Sequence, residues 1–219
     1  MSIFQLLISN YCLDILFPRF CIGCNREGID FCNDCLQNLR PHTMIRRDGF
    51  ESLEGVITLA AYGDPVIRNL IQTWKYDRVL SLTEPLAVLI RRGTENLRPL
   101  FNADFITPVP LHWYRERERG FNQAAVIAKT VSAVLGTAVS DVLTRVRKTA
   151  PQSKLRHGSS ARAENVASAF ELTDGTRLGG KRCLLVDDVV TSGHTMDACA
   201  RALKQAGALS VWGLAIARG

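Results

Sequence analysis

The sequence predicts an α/β fold, with a parallel sheet flanked by helices and a small cysteine-rich module before it. Short apolar runs suited to buried strands alternate with segments whose apolar residues recur at helical spacing. Such alternation is typical of βαβ units with right-handed crossovers. The chain has 219 residues, of which 47% are hydrophobic, enough for one medium domain with its own core. Four cysteines stand together near the N-terminus: Cys21, Cys24, Cys32 and Cys35.

The opening segment, residues 1–20, has apolar residues at helical spacing up to Pro18. We therefore expect a short amphipathic helix that ends before this proline. The segment has no basic beginning and no small-residue cleavage site, as a signal peptide would. No apolar run in the chain approaches the ~18–20 residues that a membrane span needs. The sequence thus predicts a cytoplasmic protein with no membrane span.

The four clustered cysteines form two C-x-x-C pairs separated by seven residues, which predicts a zinc ribbon over residues 21–40. Zn²⁺ bound by four thiolates has no open position, so such a site is structural. Gly23 is expected to ease the first turn through a positive φ. Two disulfides are the alternative, and they are less expected in the cytosol. Three further cysteines lack partners at ligand spacing and are interpreted as core residues: Cys12, Cys183 and Cys199.

The main domain is predicted to span residues 55–219, after a polar linker at residues 41–54 that shows no periodicity. Strands are predicted at Gly55–Tyr62, Asp104–Pro110, Cys183–Asp187 and Leu209–Ile216. Helices are predicted at Pro65–Trp74, Leu80–Arg92, Ala124–Leu135 and Met196–Gly207.

The most informative stretch runs from Cys183 to Thr195. Four apolar residues lead into Asp187 and Asp188, then into a polar loop with one glycine and a helix. A buried parallel strand of this kind delivers acidic side chains to a crevice at its carboxyl end. The loop should present backbone N–H groups and hydroxyls to a phosphate. The pattern suits a ribose 5-phosphate unit; the alternative is an acidic turn in which Asp188 only caps the helix.

This pattern resembles the binding motif of type I phosphoribosyltransferases, which hold phosphoribosyl pyrophosphate (PRPP). The resemblance implies that Asp187 and Asp188 are the catalytic pair and contact the ribose hydroxyls. It also implies that Mg²⁺ bridges ribose and pyrophosphate oxygens while keeping most of its water ligands. The PRPP-binding loop would consist of Thr191, Ser192, Gly193, His194 and Thr195.

Basic residues are concentrated between residues 112 and 163, where ten Lys/Arg face three Asp/Glu, whereas the whole chain has a net charge of +6. The position of this surplus indicates an anionic ligand. Over residues 115–119, three arginines alternate with two glutamates in a predicted loop. We expect Arg115, Arg119 and Gln123 to bind PRPP, since fork-shaped arginine donors match pyrophosphate oxygens. The alternative is a solvated turn whose charges balance.

A flexible basic loop is predicted over residues 145–163, within a longer polar stretch that offers little to a core. Such a segment is either a functional lid or a solvated loop. A lid would exclude water from the reactive anomeric carbon of the sugar.

Taken in order, three features resemble the ComF family of phosphoribosyltransferase-like proteins over nearly the whole chain. They are the cysteine pairs, the Pro108-Val109-Pro110 turn followed by Arg119-Gly120-Phe121-Asn122-Gln123, and the acidic Thr-Ser-Gly-His-Thr loop. The family pattern also contains residues matched by Gln152, Arg162 and Asn165 in the flexible segment, and Arg162 is implied to bind PRPP. Members are associated with DNA uptake in natural competence and with use of external DNA as a nutrient.

Three functions stay open at this point. The first is a phosphoribosyltransferase of nucleotide metabolism with an unknown acceptor; Thr191 stands where relatives acting on 6-oxopurines have an acidic residue. The second is an accessory protein of the DNA-uptake machinery that binds single-stranded DNA through the basic segment and its aromatics, Trp113, Tyr114 and Phe121. The third is a structural zinc protein with a relic fold. We expect a PRPP-binding ComF-type protein that acts on DNA uptake or utilisation.

Overall fold

The computed structural model describes residues 18–76, 79–95, 97, 102–146, 169–173 and 175–219. The predicted N-terminal helix falls largely outside these residues, as does nearly all of the predicted basic loop. Arg162, Gln152 and Asn165 therefore lie outside the described residues. So does the side chain of Arg115, although its backbone belongs to a helix.

Five strands form the central sheet: β1 (Met44–Arg46), β2 (Gly55–Ala61), β3 (Phe105–Pro108), β6 (Arg182–Val190) and β7 (Ser210–Arg218). Their order is β1-β2-β7-β6-β3, and β1 alone runs antiparallel to its neighbour. A separate antiparallel pair joins β4 (Leu143–Arg145) to β5 (Phe170–Leu172). Because β3 and β6 are parallel neighbours, their carboxyl ends meet at one edge of the sheet.

Six α-helices surround the sheet among the residues described: α1 (Asn33–Asn38), α2 (Pro65–Tyr76), α3 (Thr83–Glu95), α4 (Trp113–Arg119), α5 (Gln123–Leu135) and α6 (His194–Gln205). A short 3₁₀ turn, Leu80–Leu82, precedes α3. The helices α2, α3 and α5 share one buried cluster, and α6 packs in a second. The sheet therefore has one core on each face.

Alternate residues of β6 divide between these two cores, as side chains of a strand must. Leu184 and Val186 belong to the cluster with α2, α3 and α5. Cys183 and Leu185 belong to the cluster with α6. Cys183 and Cys199 are both buried, which confirms their interpretation as core residues.

Most predicted elements are confirmed within a few residues, but two predictions are wrong. The linker predicted at residues 41–54 contains β1, which pairs with β2 from Met44 to Arg46. Three residues show no periodicity, and Ile45 at the centre of β1 is half exposed, so the strand depends on backbone hydrogen bonds to β2. The loop predicted around residues 115–119 is the helix α4.

The helix α4 forms because its two ends are capped. His112 accepts a hydrogen bond from the backbone N–H of Tyr114 at 3.3 Å, and Gly120 ends the helix with a φ of 85°. Alternating charges inside the helix do not oppose helix formation, since Arg and Glu both have high helix propensity.

Candidate functional site

A concavity of about 320 Å³ lies where β6 passes into α6. Its lining comprises Asp187, Val189 and the residues from Val190 to Met196. The loop turns at Gly193, which has a φ of 88°, and α6 begins at His194, two residues earlier than predicted. The first backbone N–H groups of a helix are free to bind an anion. The structure thus brings the five loop residues predicted to bind phosphate together with Asp187.

The side chain of His194 is held within this loop. Its Nδ1 lies 2.8 Å from Oγ of Ser192, a hydrogen-bond distance. Behind the loop, the ring of Phe50 packs so closely on Gly193 that an added Cβ would lie 2.4 Å from it. Gly193 is therefore required both by its φ and by this contact.

The segment that carries Phe50 is fixed to α6 by Asp197. One carboxylate oxygen of Asp197 accepts the backbone N–H groups of Glu51, Ser52 and Leu53 at 3.1, 2.9 and 3.2 Å. Residues 50–53 of the predicted linker thus form an ordered strap across the first turn of α6. No local pattern predicts this contact, because Asp197 lies about 145 residues from the strap.

The two adjacent carboxylates of β6 leave the strand on opposite faces. The strand continues to Val190 and does not end at Asp187 as predicted, so side chains still alternate here. Asp187 lines the concavity beside the loop. Asp188 follows the parity of Val186 and meets a residue of α2.

That residue is Lys75, whose Nζ lies 2.7 Å from Oδ2 of Asp188. Both side chains are only 12% exposed. Lys75 is not among the site residues that the sequence predicts. The available signal was a cation in the last turn of an amphipathic helix, directly after the apolar Trp74, and nothing in it identified the partner.

Asp187 is held in a very different electrostatic environment from an ordinary surface carboxyl. Burial raises the pKa of Asp187 to about 7, and the negative charge of Asp188 adds to this rise. The backbone N–H of Asp188, which donates to Asp187 Oδ1 at 2.8 Å, acts in the opposite direction. The positive charges of Lys75 and Arg145 also oppose the rise in pKa.

Arg119 and Gln123 are brought together, as predicted, at the junction of α4 and α5. Arg119 Nη1 donates to Gln123 Oε1 at 3.0 Å, and the guanidinium lies 5.3 Å from the ring centroid of Tyr76. Gln123 is 1% exposed, and its Nε2 has no hydrogen-bond partner within the described part of the chain. A buried amide N–H₂ without an acceptor is costly, so a ligand oxygen here would satisfy it.

The four clustered cysteines form a compact group. Their sulfur atoms all lie within 4.8 Å of one another, and those of Cys24 and Cys32 are 3.6 Å apart. Tetrahedral Zn²⁺ with bonds of about 2.3 Å places its sulfurs ~3.8 Å apart, so the geometry fits this ion. The thiols described are free, and no disulfide joins them. The group could therefore hold a metal ion.

Backbone geometry at this cluster differs from the prediction for Gly23. The positive φ, 62°, belongs to Asn25, whereas a Cβ at Gly23 would lie 2.6 Å from Cys35 Sγ. Gly23 is therefore needed for the close approach of a sulfur. Burial raises the pKa of the Cys21 thiol, but backbone N–H groups, that of Cys32 foremost, outweigh burial and lower it to about 6. A thiolate stabilised in this way is the form that binds metal.

The cysteine module is docked on the main domain. Phe31 and Leu39 belong to the same buried cluster as α2, α3 and α5. Arg92 of α3 donates to the carbonyls of Leu36 and Leu39 at 2.9 and 2.6 Å. This module therefore shares a core with the main domain, which explains how so few residues stay ordered.

Comparison with known proteins identifies relatives over most of this chain. A model of the phosphoribosyl transferase domain matches residues 122–216. Competence protein F of Haemophilus influenzae is 29% identical over 93% of this chain and 93% of its own length. DNA utilization protein YhgH of Escherichia coli is 33% identical over 82% of this chain and 74% of that protein. A crystal structure of adenine phosphoribosyltransferase covers 83% of this chain and 89% of its own, with 16% identity and a TM-score of 0.40.

Among the described residues, no helix combines the length and the apolar character needed to cross a bilayer.

Proposed function

Because this chain belongs to the ComF family, which is related to phosphoribosyltransferases, we propose that it binds PRPP and acts in DNA uptake or DNA utilisation. The observation that carries the proposal is the concavity between β6 and α6. It combines a helix N-terminus, three hydroxyl side chains and the carboxyl of Asp187 within about 320 Å³. These groups match the 5′-phosphate and hydroxyls of one ribose 5-phosphate unit.

Each part of PRPP has candidate partners. The 5′-phosphate is assigned to the loop of residues 191–195, and the ribose hydroxyls to Asp187 and Asp188. Arg119 and Gln123 are assigned to the pyrophosphate, and the unpaired Nε2 of Gln123 supports this choice. Two further PRPP contacts rest on the sequence alone: Arg115, from the arginine pattern of residues 115–119, and Arg162, from the family resemblance. Mg²⁺, when bound with PRPP, would neutralise part of the negative charge of the ligand.

The alternative function is that of an enzyme of nucleotide metabolism, which would transfer ribose 5-phosphate to an acceptor. The adjacent carboxylates near an arginine favour it, because fixed charges can stabilise an oxocarbenium-like transition state. Among the described residues, no side chain is identified as the partner of an acceptor. Catalysis is therefore proposed only as this second possibility.

Single-stranded DNA is proposed as a second ligand, bound at an exposed aromatic patch. Tyr76, Trp113 and Tyr114 are 66, 63 and 50% exposed, and the helix that carries two of them also carries Arg117 and Arg119. Exposed aromatics beside arginines suit unpaired bases, which stack on the rings while the phosphates meet the positive charges.

The cysteine group is proposed to hold one structural Zn²⁺ through Cys21, Cys24, Cys32 and Cys35. Four sulfurs within 4.8 Å leave no open position, which supports a structural role for the ion. Replacing Cys21 and Cys24 with Ser should abolish zinc in elemental analysis and lower the midpoint of thermal unfolding. A variant that keeps one zinc per chain would contradict this assignment.

We place the protein in the cytoplasm, in contact with the DNA-uptake machinery. Reduced thiols poised for metal binding support a reducing compartment.

The test of PRPP binding is calorimetric titration of Mg²⁺–PRPP into the wild type and into Asp187→Asn. Asparagine keeps the size of the side chain and the Oδ1 acceptor, so the fold should survive. We expect at least a tenfold loss of affinity. The matched control is Asp104→Asn, at the far end of the same sheet, which should bind PRPP like the wild type. No binding to the wild type would refute the proposal.

The test of DNA binding is fluorescence anisotropy with a labelled oligo-dT. Affinity should fall steeply as salt rises, because bound phosphates release counterions. The double variant Trp113→Ala/Tyr114→Ala should lose affinity and keep PRPP binding. If the oligonucleotide shows no salt-sensitive binding near physiological ionic strength, the proposal that the protein binds single-stranded DNA is refuted.

A further inference from the structure

The last turn of α2 contacts residues from both halves of the proposed PRPP site. Trp74 lies against Phe121, with the ring centroids 5.3 Å apart. The next residue is the lysine that pairs with Asp188 at 2.7 Å. Tyr76 follows, and the guanidinium of Arg119 lies 5.3 Å from its ring. Three consecutive residues of one helix therefore reach three different elements.

Trp74 anchors this turn. Its side chain is 1% exposed, and its Nε1 donates to Thr83 Oγ1 at 3.1 Å. A large buried ring with a satisfied N–H has little freedom to move. The two residues that follow are thus delivered to fixed positions.

Within the described part of the chain, the partner of Lys75 on the sheet is the carboxylate of Asp188. Two charges removed from water in this way must compensate each other, because either one alone would be strongly destabilised. The pair therefore fixes where the Asp188 carboxylate lies and keeps a positive charge beside it. Its second oxygen, Oδ1, stays available for a further donor, such as a hydroxyl of ribose.

Tyr76 acts on the other half of the site. An arginine over the face of an aromatic ring is held by cation–π attraction, and the same arginine donates to Gln123. These two contacts orient the guanidinium from two sides. Because Tyr76 is largely exposed, its contribution is the smaller one.

We propose that the last turn of α2 is a positioning element for PRPP, and this inference rests on the proposed function. Lys75 fixes Asp188 for the ribose hydroxyls, and Tyr76 fixes Arg119 for the pyrophosphate. One helical turn thereby sets the distance between the two halves of the site.

Three ligands separate these roles in calorimetric titrations: Mg²⁺–PRPP, ribose 5-phosphate and Mg²⁺–pyrophosphate. Lys75→Met should weaken ribose 5-phosphate and PRPP at least tenfold and leave pyrophosphate within twofold. Lys75→Arg keeps the charge and should stay within about threefold of the wild type for all three ligands. If Lys75→Met acted only by loosening the fold, it would weaken the binding of all three ligands alike. Lys75→Arg would then not restore affinity merely because it keeps the positive charge.

Variants of Tyr76 are expected to show the opposite dependence on the ligand. Tyr76→Ala should weaken pyrophosphate about threefold and leave ribose 5-phosphate unchanged, as a cation–π contact at an exposed site contributes little. Tyr76→Phe keeps the ring and should restore affinity. Arg119→Ala should lose pyrophosphate more strongly than ribose 5-phosphate, which calibrates this arm.

The control is Arg91→Met, which removes an exposed ion pair with Glu84 on α3 and should change no affinity. Equal affinities of Lys75→Met and the wild type for ribose 5-phosphate would overturn the inference. So would a loss of pyrophosphate as large as that of ribose 5-phosphate. Absence of PRPP binding by the wild type would instead refute the proposed function, and the inference with it.

Discussion

Carboxylates lie at both ends of β6, and their electrostatic environments are opposite. At the beginning of the strand, Asp104 accepts three hydrogen bonds from Arg182, one from its backbone N–H and two from its guanidinium, at 2.7 to 3.2 Å. These bonds hold the pKa of Asp104 at about 2. At the other end, Asp188 has one ammonium and Asp187 has one backbone N–H. Burial raises the pKa of Asp187 to about 7.

The difference separates a carboxylate that stabilises the fold from two carboxylates that we propose to bind a ligand. Asp104 is exposed to water and has its charge fully matched, so ionisation there stabilises the folded state. Asp187 is removed from water beside a second negative charge, so its ionisation is costly. Perturbed carboxyls of this kind cluster at functional sites. A ligand with hydroxyl groups would supply further hydrogen-bond donors to the Asp187 carboxylate.

The largest expected effect comes from breaking the pair at the carboxyl end. Asp188→Asn leaves the Lys75 ammonium buried without a counter-charge. We expect the free energy of unfolding in urea to fall by about 3 kcal/mol. The double variant Asp188→Asn/Lys75→Met should recover most of this loss, since no unpaired charge remains. Single variants whose losses simply add would show that the pair contributes no coupling energy.

Asp187→Asn is expected to stabilise the protein at neutral pH. The folded state binds a proton at Asp187 more tightly than the unfolded chain does, since the pKa rises from its ordinary value to about 7. Stability of the wild type should therefore fall as the pH rises from 4 to 7. The variant escapes this fall and should gain roughly 1–3 kcal/mol at pH 8 relative to the wild type.

The measurement is urea unfolding at pH 4, 6 and 8 for both proteins. Near pH 4 the wild type and Asp187→Asn should be equally stable, because the carboxyl is protonated in the folded state. A constant difference at all three pH values would contradict the raised pKa.

The smallest effect is expected at Asp104. Its lowered pKa means that its contribution is present above pH 4 and is lost as the pH falls through about 2. Asp104→Asn should therefore lower stability slightly at neutral pH and bring the curves together in strong acid. Unfolding followed by circular dichroism from pH 1.5 to 7 tests this. A loss larger than that of Asp188→Asn would reverse the comparison.

The parts of this fold that were predictable are those with local signals. The apolar run before Asp187 identified β6, and the helical spacing from Pro65 to Trp74 identified α2. The loop at residues 191–195 was predictable as a loop because a strand, a glycine and a helix start occur there in order. What the pattern could not give was where β6 ends, since Val189 and Val190 continue the strand past the acidic pair.

The parts that were missed depend on contacts between distant residues. Lys75 and Asp188 are separated by 113 positions, and no local pattern distinguishes this lysine from a solvated one. The sequence pattern predicts a loop where α4 lies, because this segment follows the end of a strand, although the caps of the helix, His112 and Gly120, are local signals. The helix caps could therefore be predicted from the sequence, whereas the ion pair could not.

The strap over α6 offers a practical consequence. The backbone N–H groups of Glu51, Ser52 and Leu53 all donate to one oxygen of Asp197, in the first turn of α6, next to the loop of residues 191–195. Their exchange with deuterium is governed by how often that bond set opens. The deuterium-exchange rates of these three amides, measured by NMR, would therefore report how tightly the strap holds the first turn of α6.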